Sequence, residues 1–135
     1  MNRTIATPSA PAAIGPYSQA VLVEQPTQTL YCSGQVGLDP ATMKIVEGGV
    51  EAEARCVMKN LTAVLGAAGM QMTDIVKATI YLVDMADYPK VNAIYAEHFA
   101  GKPPARVAVA VAALPAGAQV EIDAIAVKSS RPIRP

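Results

Sequence analysis

The chain has 135 residues, of which 52% are hydrophobic and only 4% aromatic, and its 11 basic and 11 acidic side chains balance to a formal net charge of zero at pH 7. This length predicts a single domain, assigned to residues 1–128, followed by a disordered tail at residues 129–135. The balanced charge argues against nucleic-acid or anionic-membrane partners. No apolar run reaches the roughly 18 residues of a membrane span. Residues 1–5 lack a secretory signal, so we expect a cytoplasmic protein.

Two cysteines and one histidine restrict the metal and redox chemistry open to the chain. Cys32 falls in a predicted strand and Cys56 in a predicted helix, without a CxxC motif or a Cys/His cluster. Both are interpreted as reduced, buried, small apolar side chains in a reducing compartment. His98 is the only histidine, so a multi-histidine metal site cannot form within one chain, and no metal is expected.

The first half of the chain predicts short strands and one long helix. Residues 20–24 and 29–33 are interpreted as a strand pair joined by a turn at residues 25–28, with a short additional strand at residues 3–6. Apolar residues then recur at helical spacing over residues 50–68. Acids at positions 51 and 53 fall in the first turn of that helix, where the helix dipole favours them.

The second half predicts a strand, a helix and two more strands. Residues 75–83 form the strand, and Asp87 is the expected N-cap of the second helix. The inner face of this helix carries Val91, Ile94, Tyr95 and His98. Residues 106–112 and 119–128 are the last two strands, joined by a Pro/Gly-containing loop.

This order, β-β-α-β-α-β-β, predicts an α/β fold, an α+β sandwich in which two helices cover one face of a mixed sheet. Valines at positions 107, 109 and 111 alternate with alanines, so this strand is apolar or small on both faces. We therefore expect the second face to be covered by another copy of the chain.

Arg106 stands alone in an apolar strand, and an unpaired guanidinium there needs a carboxylate from the protein or from a ligand. Strand alternation places Arg106 and Ala108 on one face, with room for a ligand beside the alanine. Glu121 and Asp123 share one face of the last strand, and either can approach Arg106 within one subunit or between two. A fixed cation near a fixed carboxylate can hold an acidic substrate and activate water. A structural ion pair at an interface is the alternative interpretation.

Other polar positions carry weaker signals. The turn at residues 15–19 presents Tyr17 at a strand entrance, and Ser33 and Gly34 end a strand where backbone N–H groups can face a ligand. Asn92 lies one position off the apolar face of the second helix. Ordinary turn chemistry accounts for the first two features and a solvated helix position for Asn92, so none identifies a site alone.

An ordered series of segments resembles the RidA (YjgF) family, also known as L-PSP endoribonuclease or translation inhibitor. The segments are IAT at 5–7, APAAIGPYSQA at 10–20, SGQ at 33–35, DIVK at 74–77, VNAIY at 91–95, PARV at 104–107 and EIDAIAV at 121–127. The resemblance implies a chorismate-mutase-like (bacillus-type) fold and a homotrimer with clefts between subunits. It further implies a deaminase that hydrolyses reactive 2-imino acids, released by PLP-dependent dehydratases, to 2-oxo acids and ammonia. No cofactor is implied.

The same resemblance assigns roles to residues at matching positions. Arg106 matches the arginine that binds the substrate carboxylate, and Glu121 matches the glutamate that positions the attacking water. The positions that match the cleft lining are Tyr17, Ser33, Gly34, Asn92 and the backbone of Ala108. Many family members carry cysteine where this chain has Ala108, so a redox role of that thiol is not expected here, whereas hydrolysis that uses only the backbone should survive.

Two other functions stay open at this stage. Ribonuclease activity, which the older family name suggests, is disfavoured by the single histidine and by the lack of a basic patch or an aromatic platform for bases. A non-catalytic trimer could bind 2-oxo acids without hydrolysing imines. Within the family, the side chain of the imine also stays open.

Overall fold

The computed structural model describes residues 2–129, and its elements follow the predicted order except for a short strand pair, β4 and β5, in a segment predicted to be a loop. The strands are β1 (Asn2–Ile5), β2 (Ala20–Val23), β3 (Pro26–Val36), β4 (Leu38–Asp39), β5 (Lys44–Ile45), β6 (Ile75–Leu82), β7 (Ala105–Ala110) and β8 (Val120–Ser129), and the helices are α1 (Gly49–Ala67) and α2 (Tyr88–Ala96). Residues 130–135 of the predicted tail lie outside the described residues, and Ser129 ends β8. Neither helix of the described range combines the length and hydropathy needed to cross a bilayer.

The main sheet is mixed, as predicted, with strand order β3-β8-β6-β7. β8 runs antiparallel to β3 and to β6, whereas β7 runs parallel to β6 after the crossover through α2. The predicted pairing of residues 20–24 with 29–33 is wrong, because β2 pairs with β1 while β3 pairs with β8. The 11-residue β3 matches the long β8 along almost its whole length, which satisfies far more backbone groups than the four-residue β2 could.

The core lies between the two helices and one face of this sheet. Its largest members are the fully buried Met58, Leu61, Leu65, Ile80, Leu82, Tyr95 and Ile122. Glu53, expected to stabilise α1 through the helix dipole, is instead only 3% exposed. Asp87 precedes α2 but makes no capping hydrogen bond, and Asp84 caps the short 3-10 turn before it by accepting from the Ala86 N–H.

The other face of the sheet, which we call the open face, carries Tyr31, Tyr81, Val107, Val109, Glu121, Asp123 and Ile125. Cross-strand pairing places Glu121 beside Tyr81, and Tyr81 beside Val109. Val107 is 41% exposed, Val109 38% and Tyr31 76% in the single chain. Exposed valines and a tyrosine on one sheet face are a typical feature of a contact with another subunit.

Candidate functional site

Arg106 lies on the helix-covered face of β7 and reaches α2. Its Nη1 donates to Asn92 Oδ1 at 2.7 Å, and its Nη2 donates to Tyr88 Oη at 2.6 Å. The guanidinium carbon lies 5.3 Å from the ring centre of Tyr17, 5.6 Å from that of Tyr88 and 5.1 Å from that of Tyr95. We call these five residues the arginine cluster. Three aromatic rings within cation–π distance hold the cation without neutralising it.

Tyr17 reaches this cluster because the chain before β2 is attached to the start of β7. Ser18 forms a parallel bridge with Ala105, and its N–H donates to the Pro104 carbonyl at 3.0 Å. Tyr17 is therefore placed next to Arg106. A Cβ at Gly15 would lie 3.6 Å from Arg106 Nη2, so this loop runs close to the guanidinium.

The segment preceding that loop is organised by one glutamine side chain. Gln19 Oε1 accepts from the Thr7 N–H at 2.6 Å, and Nε2 donates to the Pro11 carbonyl at 2.6 Å. A cavity of about 460 Å³ lies between this segment and β1, and Tyr17 is among its lining residues. Of the arginine cluster, Tyr17 alone is among its lining residues, so the cavity adjoins the cluster through that ring.

The guanidinium of Arg106 keeps an unpaired positive charge in the part of the chain that is described. The ion pairs there join Arg3 to Glu24 and Arg55 to Glu97, and none reaches Arg106. Both oxygens that Arg106 contacts belong to neutral groups, and a guanidinium has five N–H donors. The half-buried Arg106 can thus still bind an anion through its remaining donors.

Tyr95 contributes its ring but not its hydroxyl to the cluster. Burial raises the pKa of this phenol, and the positive charge of Arg106 opposes that shift only in part. Its Oη is buried and has no hydrogen-bond partner in residues 2–129. Tyr95 is therefore a neutral phenol packed between Arg106 and the ring of Phe99, whose centre is 4.6 Å away.

Glu121 lies against Gly34, and we call these two residues, together with Ser33, the chain neighbour of Gly34 in β3, the glutamate cluster. The ladder between β3 and β8 is irregular between Cys32 and Gln35, which brings the backbone of Gly34 against the Glu121 side chain. A Cβ on Gly34 would lie only 2.0 Å from Glu121 Oε2 and 2.7 Å from the carboxyl carbon. Glycine at position 34 is what allows the carboxylate to lie there.

Asp123, two residues along β8, has a different environment. Tyr81 Oη donates to Asp123 Oδ2 at 3.0 Å, and this hydrogen bond raises the pKa of Tyr81. Burial, followed by the charge of Asp123, raises the pKa of the Cys32 thiol. Asp123 is therefore engaged with a protein partner, whereas the Glu121 carboxylate accepts no side-chain hydrogen bond from the residues described.

The two clusters lie on opposite faces of the sheet in a single chain. Arg106 is level with Ala78 and Ala124, which belong to the buried face, while Glu121 is on the open face. The structure thus brings together Arg106, Tyr17 and Asn92, with Ala108 two residues along the same face. It separately brings Gly34, which follows Ser33 in β3, against Glu121. It does not bring either acid of β8 to Arg106 within one subunit.

Tyr88 is a member of the arginine cluster that the sequence analysis did not single out, and Tyr95 was assigned to packing. A usable signal was present, because residues 88, 92 and 95 follow the spacing i, i+4, i+7 and so share one helix face. Two tyrosines and an amide on one face could have been matched to a cation on the following strand. No group of three or more potential metal ligands occurs in residues 2–129.

Comparison with known proteins gives a consistent result. The family model described as endoribonuclease L-PSP matches residues 7–128. Protein DfrA of Myxococcus xanthus is 53% identical over 126 residues, or 93% of this chain and 95% of the relative. The 2-iminobutanoate/2-iminopropanoate deaminase of Mus musculus is 53% identical over 128 residues, which cover 95% of this chain and 93% of the relative. The crystal structure of RidA from an Antarctic Psychrobacter species has a TM-score of 0.71 and 45% identity, covering 93% of this chain and 98% of that one.

Proposed function

The chain belongs to the RidA (endoribonuclease L-PSP) family, and we propose that it is a 2-iminobutanoate/2-iminopropanoate deaminase. The mouse relative carries this name at 53% identity. The observation that carries the proposal is the half-buried guanidinium of Arg106, which is held by neutral oxygens and aromatic rings. A 2-imino acid supplies the carboxylate that such a cation lacks.

The proposed active site takes residues from two subunits of a homotrimer. Arg106, Tyr17, Asn92 and the backbone of Ala108 come from one subunit, and Ser33, Gly34 and Glu121 come from its neighbour. Two observations support this arrangement: the clusters lie on opposite faces of one sheet, and the open face exposes Val107 and Val109. β7, which carries Arg106, is an edge strand of the sheet, so a neighbouring subunit that covers the open face along this edge buries these valines and can bring its glutamate cluster to the arginine cluster.

The proposed reaction needs only positioning and a water molecule. The enamine first tautomerises to the imine, whose carboxylate binds the remaining N–H donors of Arg106. Glu121 accepts a proton from a water as the water oxygen adds to the carbon of the C=N bond and the π electrons move to nitrogen, and Glu121 then returns that proton to the nitrogen. The resulting carbinolamine expels ammonia as its C–OH becomes the C=O of the 2-oxo acid. Orientation and charge complementarity supply most of the rate gain.

We also propose a cytoplasmic location. Cys32 and Cys56 are both free thiols, which suits a reducing compartment. The dehydratases that release 2-imino acids work from amino acids, so the enzyme and its substrate source would share that compartment.

A coupled assay tests the proposed function. A threonine or serine dehydratase generates the imine, semicarbazide competes for it, and semicarbazone formation is followed with and without the protein. We expect wild type to lower semicarbazone formation, and Arg106→Ala at the same concentration to leave it unchanged.

Other outcomes identify other functions. If wild type has no effect on several imines yet binds 2-oxobutanoate, the cleft is a binding site and the enzyme assignment is wrong. Ribonuclease activity that persists through repurification and in Arg106→Ala would instead favour the chemistry in the older family name.

A further inference from the structure

We infer that Tyr88 is a positioning residue, whose hydroxyl fixes the guanidinium of Arg106 in the orientation that receives a substrate carboxylate. The inference rests on the proposed function of Arg106 and adds a residue to it. Tyr88 Oη accepts from Arg106 Nη2 at 2.6 Å, the shorter of the two hydrogen bonds that Arg106 donates within the arginine cluster.

The geometry explains why two anchors are needed. Asn92 Oδ1 accepts from Nη1 while Tyr88 Oη accepts from Nη2, so both terminal nitrogens of the guanidinium are held. With both held, the plane of the guanidinium cannot rotate freely. Each terminal nitrogen keeps one further N–H, and bidentate binding of a carboxylate requires such donors in a fixed plane. Loss of one anchor leaves the fork free to turn on the other.

Tyr88 is itself rigidly placed. It is the first residue of α2, and the next residue is Pro89, whose ring fixes its own backbone torsion. The preceding 3-10 turn, Met85–Asp87, is capped by Asp84, which accepts from the Ala86 N–H at 2.9 Å. The Tyr88 ring packs against the hydrophobic core. The backbone and the core therefore fix the position of the Tyr88 hydroxyl, and this hydroxyl in turn sets the orientation of the Arg106 guanidinium.

Both anchors are neutral, which matters for a binding site. A carboxylate in place of the Tyr88 hydroxyl would hold Arg106 more strongly but would cancel its charge and compete with the ligand. A phenol and an amide orient the guanidinium and leave its charge for the substrate. This combination suits a clamp for small monoanions.

The test is Tyr88→Phe, which removes one oxygen and keeps the ring. We expect KM for the imine to rise about threefold to tenfold, the usual effect of one hydrogen bond, with kcat nearly unchanged. The dissociation constant of 2-oxobutanoate, measured by calorimetry, should rise by a similar factor. The matched control is Thr62→Val, which also removes a single hydroxyl but lies on α1, outside both clusters and away from the open face.

A second background separates positioning from a general effect on folding. Tyr88→Phe should have little further effect on 2-oxobutanoate affinity in Arg106→Lys, because lysine has no planar fork to orient. The inference is overturned if Tyr88→Phe matches wild type in KM and in affinity, or if its effect is the same in both backgrounds. Wild type that binds 2-oxobutanoate without hydrolysing any imine would overturn the proposed activity alone, since the affinity measurements still decide the role of Tyr88.

Discussion

Single residues decide how each half of the proposed site is shaped. Arg106 is surrounded by rings and neutral oxygens, so its orientation is fixed without loss of charge. Glu121 has room only because residue 34 has no side chain. In both cases a group is absent from the neighbouring residue. The neighbours of Arg106 carry no competing negative charge, and the neighbour of Glu121 has no Cβ.

Gly34→Ala should therefore inactivate the enzyme through Glu121. The new methyl group would lie 2.0 Å from the present position of Glu121 Oε2, so the carboxylate must move. We expect kcat to fall by roughly 100-fold, comparable to the loss of a general base, as measured by the semicarbazide assay.

The control is Gly66→Ala in α1, where a Cβ meets nothing within 4 Å. That variant should keep full activity and gain about 0.5–1 kcal/mol of stability. Full activity in Gly34→Ala would contradict the proposed role of Glu121.

Tyr95→Phe should stabilise the protein at neutral pH. The Tyr95 hydroxyl is buried without a hydrogen-bond partner in the part of the chain described, and such a group costs on the order of 1 kcal/mol. Removing the oxygen keeps the ring beside Arg106 and Phe99. Urea unfolding at pH 7 should show a free energy of unfolding about 1 kcal/mol higher than that of wild type.

The same substitution should change the alkaline limb of the stability curve. Burial raises the pKa of Tyr95 in the folded state, so above the ordinary tyrosine value of about 10 the unfolded chain loses a proton that the folded chain retains. This proton therefore has no effect on the free energy of unfolding of wild type below about pH 10. As the pH rises further, ionisation of Tyr95 in the unfolded chain lowers the free energy of unfolding of wild type. The stability gap between Tyr95→Phe and wild type should widen between pH 9 and pH 11. A gap that stays constant would mean that Tyr95 titrates alike in both states.

At the scale of elements, the start of β8 depends on a buried acid of α1. Glu53 Oε1 accepts from the Gln119 backbone N–H and Oε2 accepts from its side-chain Nε2, both at 2.8 Å. The loop before Gln119 holds two successive left-handed residues, Ala116 at φ 58° and Gly117 at φ 71°. Such a loop needs an anchor to keep its conformation, and Glu53 supplies it two residues ahead of Glu121.

Glu53→Ala should destabilise the fold and loosen the start of β8. Loss of the carboxylate leaves the Gln119 N–H without its partner, and hydrogen bonds to charged groups contribute about 1.5–3 kcal/mol each. We expect the free energy of unfolding to fall by about 2–4 kcal/mol in urea titrations. Glu51→Ala, in the exposed part of the same first turn, should cost less than about 0.5 kcal/mol. Equal effects of the two substitutions would show that the dipole, not the hydrogen bonds, explains Glu53.

The contrast between Glu53 and Glu51 illustrates what the sequence could predict about elements. The helical period correctly predicted α1. The dipole argument applied equally to Glu51 and Glu53, because a local sequence pattern does not show that Glu53 hydrogen-bonds to the distant Gln119. Alternation likewise identified β2 and β3 as strands but not their partners, which depend on long-range ladders. The packing role of Tyr95 was correctly predicted. Spacing alone indicated a solvated position for Asn92, and only the family resemblance placed it in the cleft, because its hydrogen-bond partner, Arg106, lies on another element.

At the scale of the whole molecule, the sheet separates the two clusters and so determines how they can meet. Alternation predicted that Arg106 and Ala108 share a face and that Glu121 and Asp123 share a face. It could not predict that these are opposite faces, because that depends on which side of each strand the helices cover. The family resemblance supplied the residues, and the sheet geometry supplies the reason for placing them in two subunits.

This arrangement predicts that two inactive variants restore activity when mixed. Arg106→Ala and Glu121→Gln should each be inactive in the proposed homotrimer. After joint unfolding and refolding, random mixing gives clefts that combine the intact arginine of one variant with the intact glutamate of the other in about a quarter of cases, because each cleft draws on two neighbours of a cyclic trimer. The semicarbazide assay should therefore recover about a quarter of wild-type activity.

Arg106→Ala mixed with the Arg106→Ala/Glu121→Gln double variant is the matched control, since no cleft there holds an intact arginine. Light scattering and native mass spectrometry establish the oligomer size and confirm that mixed assemblies have formed. Recovery in the test mixture alone would support shared clefts. Mixed trimers without recovery would mean that Arg106 and Glu121 act from the same subunit. Because Arg106 lies on the helix-covered face of the sheet and Glu121 on its open face, we expect recovery.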